Sequence, residues 1–212
     1  MGYRLIIFDF DGTLADSAAW FAVALNGMAR RYGFREIDVA EMARLRSQPN
    51  REIMRRLRVS PWKLPFIAAH ARKLAAEAAS SINLFPGVAE MLRRLQGRGV
   101  KLAIVSSNSE ATVRKVLGPD LAGLVSHYGC GASVFGKARK FRDVIRKAGV
   151  AEADVLSVGD EVRDIEAARK VRLATGAVTW GYANADILRA QRPSALFETT
   201  DDVLREAGLC GI

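Results

Sequence analysis

The chain is poor in the residues that announce several common chemistries. Two cysteines in 212 residues, Cys130 and Cys210, are too few for a disulfide framework, so a reducing compartment is expected. The two histidines, His70 and His127, stand alone, and with only two distant cysteines no zinc-site spacing exists. No apolar run approaches the roughly 18–20 residues needed to span a bilayer. The N-terminal run Leu5-Ile6-Ile7 is too short for a signal-peptide core and is followed at once by acids, so the expected location is cytoplasmic, with no membrane partner. Internal repeats, low-complexity linkers and a long disordered tail are missing too. Acid is scarce relative to base: 23 Asp and Glu stand against 32 Lys and Arg, a formal charge of +9. That excess favours anionic partners without identifying one.

What remains is an ordinary soluble balance, half apolar and about a quarter charged, long enough for one sizeable core and a small second domain. The chain is organised around Phe8-Asp9-Phe10-Asp11-Gly12-Thr13-Leu14, directly after Leu5-Ile6-Ile7. A branched apolar run bounded by a turn reads as a strand buried on both faces. Asp9 and Asp11 then stand at its carboxyl end, where open α/β sheets bind ligands. Side chains at i and i+2 share a side, so both carboxylates can face one site. Like charges held that close repel unless a cation or a shared proton offsets them. Mg2+ takes oxygen ligands of this kind, often one or two carboxylates together with substrate phosphate. Taken alone, the segment could equally be a plain Asp-Gly turn after a strand.

Farther along, Asp16 or Ser17 can cap a helix carrying Phe21, Leu25, Met28 and Tyr32 on one stripe, stopped by Gly33. Asp38 to Ser81 is rich in Ala, Arg, Leu and Met and shows no convincing strand, with boundaries at Ser47-Gln48-Pro49-Asn50 and Ser60-Pro61. Residues 15–84 therefore read as an all-helical insertion between 1–14 and 85–212. Beyond Pro86 helices and strands alternate: a stripe of Val88, Met91, Leu92 and Leu95, a strand at 100–105, a helix at about 110–117, a weaker strand at 125–128, a helix with Phe141, Val144, Ile145 and Ala148, a strand at 155–158, a short helix bearing Ile165, and strands at 175–180 and 195–197. Such alternation predicts an α/β, Rossmann-like, mostly parallel sheet reached by right-handed crossovers.

Three further segments carry polar chemistry at strand ends or helix starts. Val105 runs into Ser106-Ser107-Asn108, where a hydroxyl and backbone N–H groups could hold a phosphate oxygen or simply cap a helix. Lys137, in Phe135-Gly136-Lys137-Ala138, could neutralise anions at a site or lie solvated at a helix start. Val158-Gly159-Asp160-Glu161-Val162-Arg163-Asp164 again follows a strand, with Asp164 one helical turn past Asp160.

Taken in order, these segments resemble the four motifs of the haloacid dehalogenase (HAD) superfamily, most of whose members are phosphatases. The first is Asp-x-Asp-Gly-Thr-Leu after an N-terminal strand. The second is a hydrophobic strand ending in Ser, fitted by Ser106 with Ser107 one residue off. Next comes a basic residue before a helix, whose spacing suits Lys137 better than Lys140, and last Gly-Asp-x-x-x-Asp, fitted by Asp160 and Asp164. The insertion is similar to the family's C1-type helical cap, and Trp180-Gly181-Tyr182 with Pro193 is similar to a phosphoglycolate-phosphatase-like subgroup. The resemblance implies that Asp9 is the nucleophile, forming an aspartyl phosphate, and Asp11 the general acid and base. It implies Mg2+ held by Asp9, the backbone carbonyl of Asp11 and Asp160, with Asp164 behind Asp160 and Glu161 a further acid nearby. Ser106, Asn108 and Lys137 would contact phosphate. A loop of the cap would choose the leaving group of a small phosphorylated metabolite, with Arg46, Gln48 and Arg51 as candidates.

Three competing readings stay open. Dehalogenation needs one Asp and no metal, and Asp11 and Asp160 argue against it. A phosphomutase shares all four motifs. A basic polyanion-binding module is the third, because residues 15–84 hold 12 Lys and Arg against 6 Asp and Glu. No specific nucleic-acid signature accompanies that charge, and the oligomeric state is undetermined.

Overall fold

In the computed structural model of the protein, residues 2–38, 41–42, 45, 48, 50–131 and 136–209 are described, those at 50 and 51 by backbone only. Six strands form one sheet: β1 (Leu5–Phe8), β4 (Lys101–Ile104), β5 (Val125–Tyr128), β6 (Val155–Gly159), β7 (Ala174–Val178) and β8 (Ala195–Phe197). Their spatial order is β5-β4-β1-β6-β7-β8, and every pairing is parallel. The chain builds outward from β1 in both directions, so β1 borders the point where strand order reverses. Ligands bind at that point in open sheets of this kind.

Alternation along β1 divides the core into two layers. Ile6 and Phe8 face a cluster with Met91, Leu92 and Leu95 of α4 (Val88–Gly97), Val113 and Leu117 of α5 (Glu110–Leu124), and Val203 of α9 (Thr200–Glu206). Leu5 and Ile7 face Phe141, Val144, Ile145 and Ala148 of α6 (Lys137–Ala148), and Ala167 and Ala168 of α7 (Val162–Arg169). Helix α8 (Ala185–Ala190) buries Leu188 against Ile165 and Ala177. Covered on both faces, β1 is wholly buried, as its uninterrupted apolar run requires.

Between β2 (Ala15–Asp16) and β3 (Asn83–Leu84) the described elements are helical: α1 (Ala18–Tyr32), α2 (Asn50–Arg56) and α3 (Leu64–Ala78), with a 3-10 turn at Pro61–Lys63. They close around their own cluster of Met28, Ala29, Phe34, Ile37, Leu45 and Leu57, with Leu25, Tyr32, Ile67 and Leu74 at its edge. Three details differ from the sequence reading. First, β2 and β3 pair antiparallel, Ala15 with Leu84 and Asp16 with Asn83, so the ends of the helical segment form a ribbon rather than helix. Second, Phe21 leaves the expected stripe: its ring lies 6.0 Å from that of Tyr182, on the loop after β7, because it sits in the first turn of α1, nearest the sheet. Helix α5 also runs past the expected stop. Its chain breaks at Gly118 (φ 73, ψ 166) before Pro119, then resumes to bury Leu121 and Ala122.

Candidate active site

Register decides which residues meet. Phe8 pairs with Ile104 on one side and Val158 on the other. The next residues therefore emerge together at the carboxyl edge: Asp9 after β1, Ser106 after β4, Asp160 after β6. The Asp9 N–H donates to the Val158 carbonyl at 2.8 Å and the Val105 N–H to the Phe8 carbonyl at 2.9 Å, extending the ladder to the lip of the site. Gly12 then turns the chain with φ +79, a conformation that favours glycine, and a Cβ there would lie 2.2 Å from Asp160 Oδ2.

Asp9 is 5% exposed. Its Oδ1 lies 2.8 Å from Lys137 Nζ, while its Oδ2 is buried without any hydrogen-bond partner among the described residues. Lys137, the first residue of α6, also donates to Asp164 Oδ1 at 2.6 Å. Oxygens of Asp9, Asp160 and Asp164 all lie within 4.8 Å of one another. Burial pushes the Asp9 carboxyl up to about 6, with Lys137 pulling it down and Asp164 adding to the rise. Burial likewise holds Asp160 well above the carboxylate range, with Glu161, Asp164 and Asp9 reinforcing it. Burial would lower the Lys137 ammonium, yet Asp164 and Asp9 more than offset that and hold it above its ordinary value. Three carboxylates against one lysine leave a deficit of positive charge, and an orphaned oxygen on the nucleophile candidate faces that deficit. A hard divalent cation fits such a donor set.

Asp11 is held differently. Its Oδ1 accepts from the Ser17 hydroxyl at 3.0 Å and its Oδ2 from the Asn108 amide at 2.8 Å. Burial raises its carboxyl, against the opposing Ser17 hydrogen bond. Asn108, expected to touch phosphate, thus spends its side-chain amide on Asp11, and its backbone N–H donates to Ser106 Oγ at 3.0 Å. Ser106 itself is buried beside the strand end.

Asp164 was expected to brace Asp160, but its oxygens go to Lys137 and to the Glu161 N–H, the latter at 3.0 Å. At the start of α7 its side chain turns back toward the helix N-terminus, where that N–H lies. Asp160 is braced instead by the Thr13 hydroxyl at 2.9 Å and the Tyr182 N–H at 2.7 Å. Glu161 pairs with Arg163, Oε2 to Nε 2.7 Å, and this carboxylate is the main reason the guanidinium is held above its usual range. Of the three cap candidates, Gln48 lies in a bend and is half-buried, whereas Arg46 and the side chain of Arg51 lie outside the described residues.

Sequence reasoning gave Thr13, Ser17, Arg163 and Tyr182 no part in the site, and read Ser17 only as a candidate helix cap. Thr13 stood inside the first motif, and Trp180-Gly181-Tyr182 was visible as a string. That string wraps the site: the Trp180 indole N–H donates to the Thr13 carbonyl at 3.0 Å, and Gly181 packs so closely that a Cβ would lie 2.2 Å from Asp160 Cβ. Ser17 gave the wrong signal, since Ser before a helix reads as a cap.

Comparison with known proteins agrees with this geometry. Residues 6–178 match the family model described as haloacid dehalogenase-like hydrolase. The chain is 38% identical over 203 residues to a phosphoglycolate phosphatase of Synechococcus elongatus, covering 95% of this chain and 96% of that one. It is 29% identical to the tyrosine-protein kinase PtkA of Mycobacterium tuberculosis, over 96% of this chain and 72% of the kinase. The crystal structure of a putative phosphoglycolate phosphatase from Lactobacillus plantarum superposes with a TM-score of 0.82 at 20% identity, covering 97% of this chain and all of that one. With the model spanning most of its length and the long match at 38% identity, the chain belongs to the haloacid dehalogenase-like hydrolase family and is a phosphatase within it.

Proposed function

We propose that the enzyme hydrolyses a small phosphate monoester, with 2-phosphoglycolate the first substrate to try, through an aspartyl phosphate on Asp9 and with Mg2+ as cofactor. The observation that carries this is the division of labour on one carboxylate: Asp9 Oδ1 is held by Lys137, and Oδ2 is buried and unclaimed among the described residues. Asp9 forms the new bond to phosphorus as the ester P–O bond breaks in line. Asp11 gives its proton to the departing alkoxide, then takes one from the water that cleaves the aspartyl phosphate and returns Asp9 to a carboxylate. Lys137, Ser106 and the Asn108 region bind the phosphoryl oxygens, and Lys137 keeps Asp9 oriented for attack. Asp9, Asp160 and the Asp11 carbonyl would hold Mg2+, with Asp164 close enough to shape that site through Lys137. When bound, the ion supplies positive charge that lets a dianionic ester approach an anionic nucleophile.

In this reading residues 1–14 and 85–212 are the catalytic core, and residues 15–84 are a cap that covers the substrate and selects its leaving group. Arg46, Gln48 and Arg51 are the cap residues proposed to touch the non-phosphate part. Among the described residues no helix is long and apolar enough to cross a membrane, and we place the enzyme in the cytoplasm with a metabolite rather than a nucleic acid as its partner. The test is release of inorganic phosphate from a panel of phosphorylated metabolites, with Mg2+ and with chelator. Selective, Mg2+-dependent release from 2-phosphoglycolate supports the reading. Isomerisation of a sugar phosphate without phosphate release would make the enzyme a mutase, and undiminished activity in chelator would remove the metal.

A further inference from the structure

We propose that Tyr182 is a positioning residue for the reaction, holding the acid/base Asp11 through the hydroxyl of Ser17; the inference rests on the role given to Asp11 above. Ser17 stands at the N-cap of α1, a position at which serine ordinarily turns its oxygen onto the first turn of the helix. Here it makes no such bond, and its backbone (φ −100, ψ 5) is not the extended one that capping uses. Its hydroxyl lies between two partners instead, 3.0 Å from Asp11 Oδ1 and 2.6 Å from the Tyr182 hydroxyl. Ser17 has one proton to give, and the Asp11 oxygen that faces it, Oδ1, accepts. The Ser17 proton therefore goes to Asp11, and the phenol of Tyr182 donates to Ser17.

The chain of donors runs Tyr182 to Ser17 to Asp11, with Asn108 fixing the other carboxylate oxygen at 2.8 Å. Tyr182 is itself fixed at both ends of its side of the site. Its N–H is bound to Asp160 Oδ2, and its ring packs against Phe21 one turn into α1. The residues concerned come from three separate places: the first-motif turn, the entry to the helical segment and the loop after β7. By occupying the acceptor side of Ser17 Oγ, the phenol fixes the rotamer in which that hydroxyl points at Asp11. Without it, the Ser17 hydroxyl is free to rotate away, and Asp11 loses one of its two holding bonds.

The test uses Tyr182→Phe, which deletes a single oxygen and leaves the backbone N–H on Asp160. Steady-state kinetics are compared on an aryl phosphate with a good leaving group and an alkyl phosphate with a poor one. The expected result is a fall in kcat about tenfold larger on the alkyl than on the aryl ester, with KM altered less than about twofold, because only the poor leaving group needs a well-placed proton. Ser17→Ala should show the same pattern, Ser17→Thr should recover most of it, and Ser17→Ala with Tyr182→Phe should be no worse than Ser17→Ala alone. Equal losses on both esters, or additive losses in the double variant, overturn the proposal and leave Tyr182 a packing residue. If Tyr182→Phe folds poorly, Ser17→Ala decides in its place, and absence of the leaving-group pattern there is equally fatal. Asp11→Asn run alongside separates the two levels. Uniform loss across leaving groups in Asp11→Asn fails the acid/base reading itself, whereas a graded loss there with a uniform loss in Tyr182→Phe fails the Tyr182 link alone.

Discussion

Lys137 grips one oxygen of Asp9 at 2.8 Å and leaves the other buried without a hydrogen-bond partner among the described residues. One carboxylate is thereby both anchored and unsatisfied. Asp9→Asn should abolish turnover, by on the order of 10^3-fold or more in kcat, because it removes the nucleophilic charge while keeping the shape. Stopped assays on a preparation shown by mass spectrometry to be free of deamidation check this.

The same substitution should stabilise the metal-free protein at neutral pH. The Asp9 carboxyl lies at about 6 in the folded state against an ordinary value of 3.8. The folded state thus binds the proton more tightly than the unfolded one, and this favourable contribution is present below pH 3.8 and lost as pH rises through 6. In chelator, Asp9→Asn should therefore melt higher than wild type at pH 7.5, by a few degrees on the scale that small stability changes produce. The gap should shrink toward pH 4, and Mg2+ should narrow it at pH 7.5. Differential scanning fluorimetry across that range tests the sign.

Removing metal should stop catalysis and Mg2+ should restore it, with Asp160→Ala raising the Mg2+ concentration needed for half-activity by an order of magnitude or so. Because protons compete for the carboxyls, apparent Mg2+ affinity should fall as pH drops below about 6, where Asp9 protonates. Calorimetric titrations at pH 5.5 and 7.5 measure the difference directly.

Gly181→Ala would set a methyl group 2.2 Å from Asp160 Cβ and 2.4 Å from the Gly12 carbonyl oxygen, both in fixed parts of the site. The expected cost is about 1–3 kcal/mol of stability, together with a raised Mg2+ requirement as Asp160 is pushed aside. Urea unfolding and Mg2+ titration of the one variant report both effects.

Burial pushes the Cys130 thiol up to about 12, with Glu110 adding to it. Since the thiolate is the nucleophile, Cys130 should alkylate with iodoacetamide at pH 8 roughly 10^3-fold more slowly than an ordinary thiol. In a Cys210→Ser background, where a single thiol reports, 8 M urea (about the usual denaturing strength) should restore the ordinary rate.

Much of the sheet and the order of its motifs could be read in advance, because strand ends there are marked by changes in chemistry. Leu5-Ile6-Ile7 runs into Asp9, Val105 into Ser106, and Val158 into Asp160, and parallel register then brings the three ends together. What escaped depends on contacts between distant parts of the chain. Ser17 and Tyr182 are 165 residues apart, so no local pattern could reveal that a serine before a helix would serve a carboxylate instead of the helix. Asp164 was expected behind Asp160, yet its partner lies on α6, 27 residues back, and only packing of α6 against α7 shows that it braces a lysine. The two-residue strands β2 and β3 are too short to leave a period-2 signature. Helix α5 resumes after Gly118-Pro119 because Leu121 and Ala122 have a core to enter, and tertiary burial overrode a local stop.

The pairing of Ala15 with Leu84 and Asp16 with Asn83 means that the chain departs and returns through two adjacent antiparallel strands. Such neighbours stand about 4.8 Å apart, a gap that a two-residue turn is enough to close. In topological terms, everything from residue 17 to residue 82 is one enlarged hairpin loop, and none of its described residues pairs with a strand of the six-stranded sheet. The segment is therefore a cassette. Another helical unit with ends at that spacing could be spliced in behind Ser17, and the strand ends that carry Asp9, Ser106 and Asp160 would keep their places in the sheet.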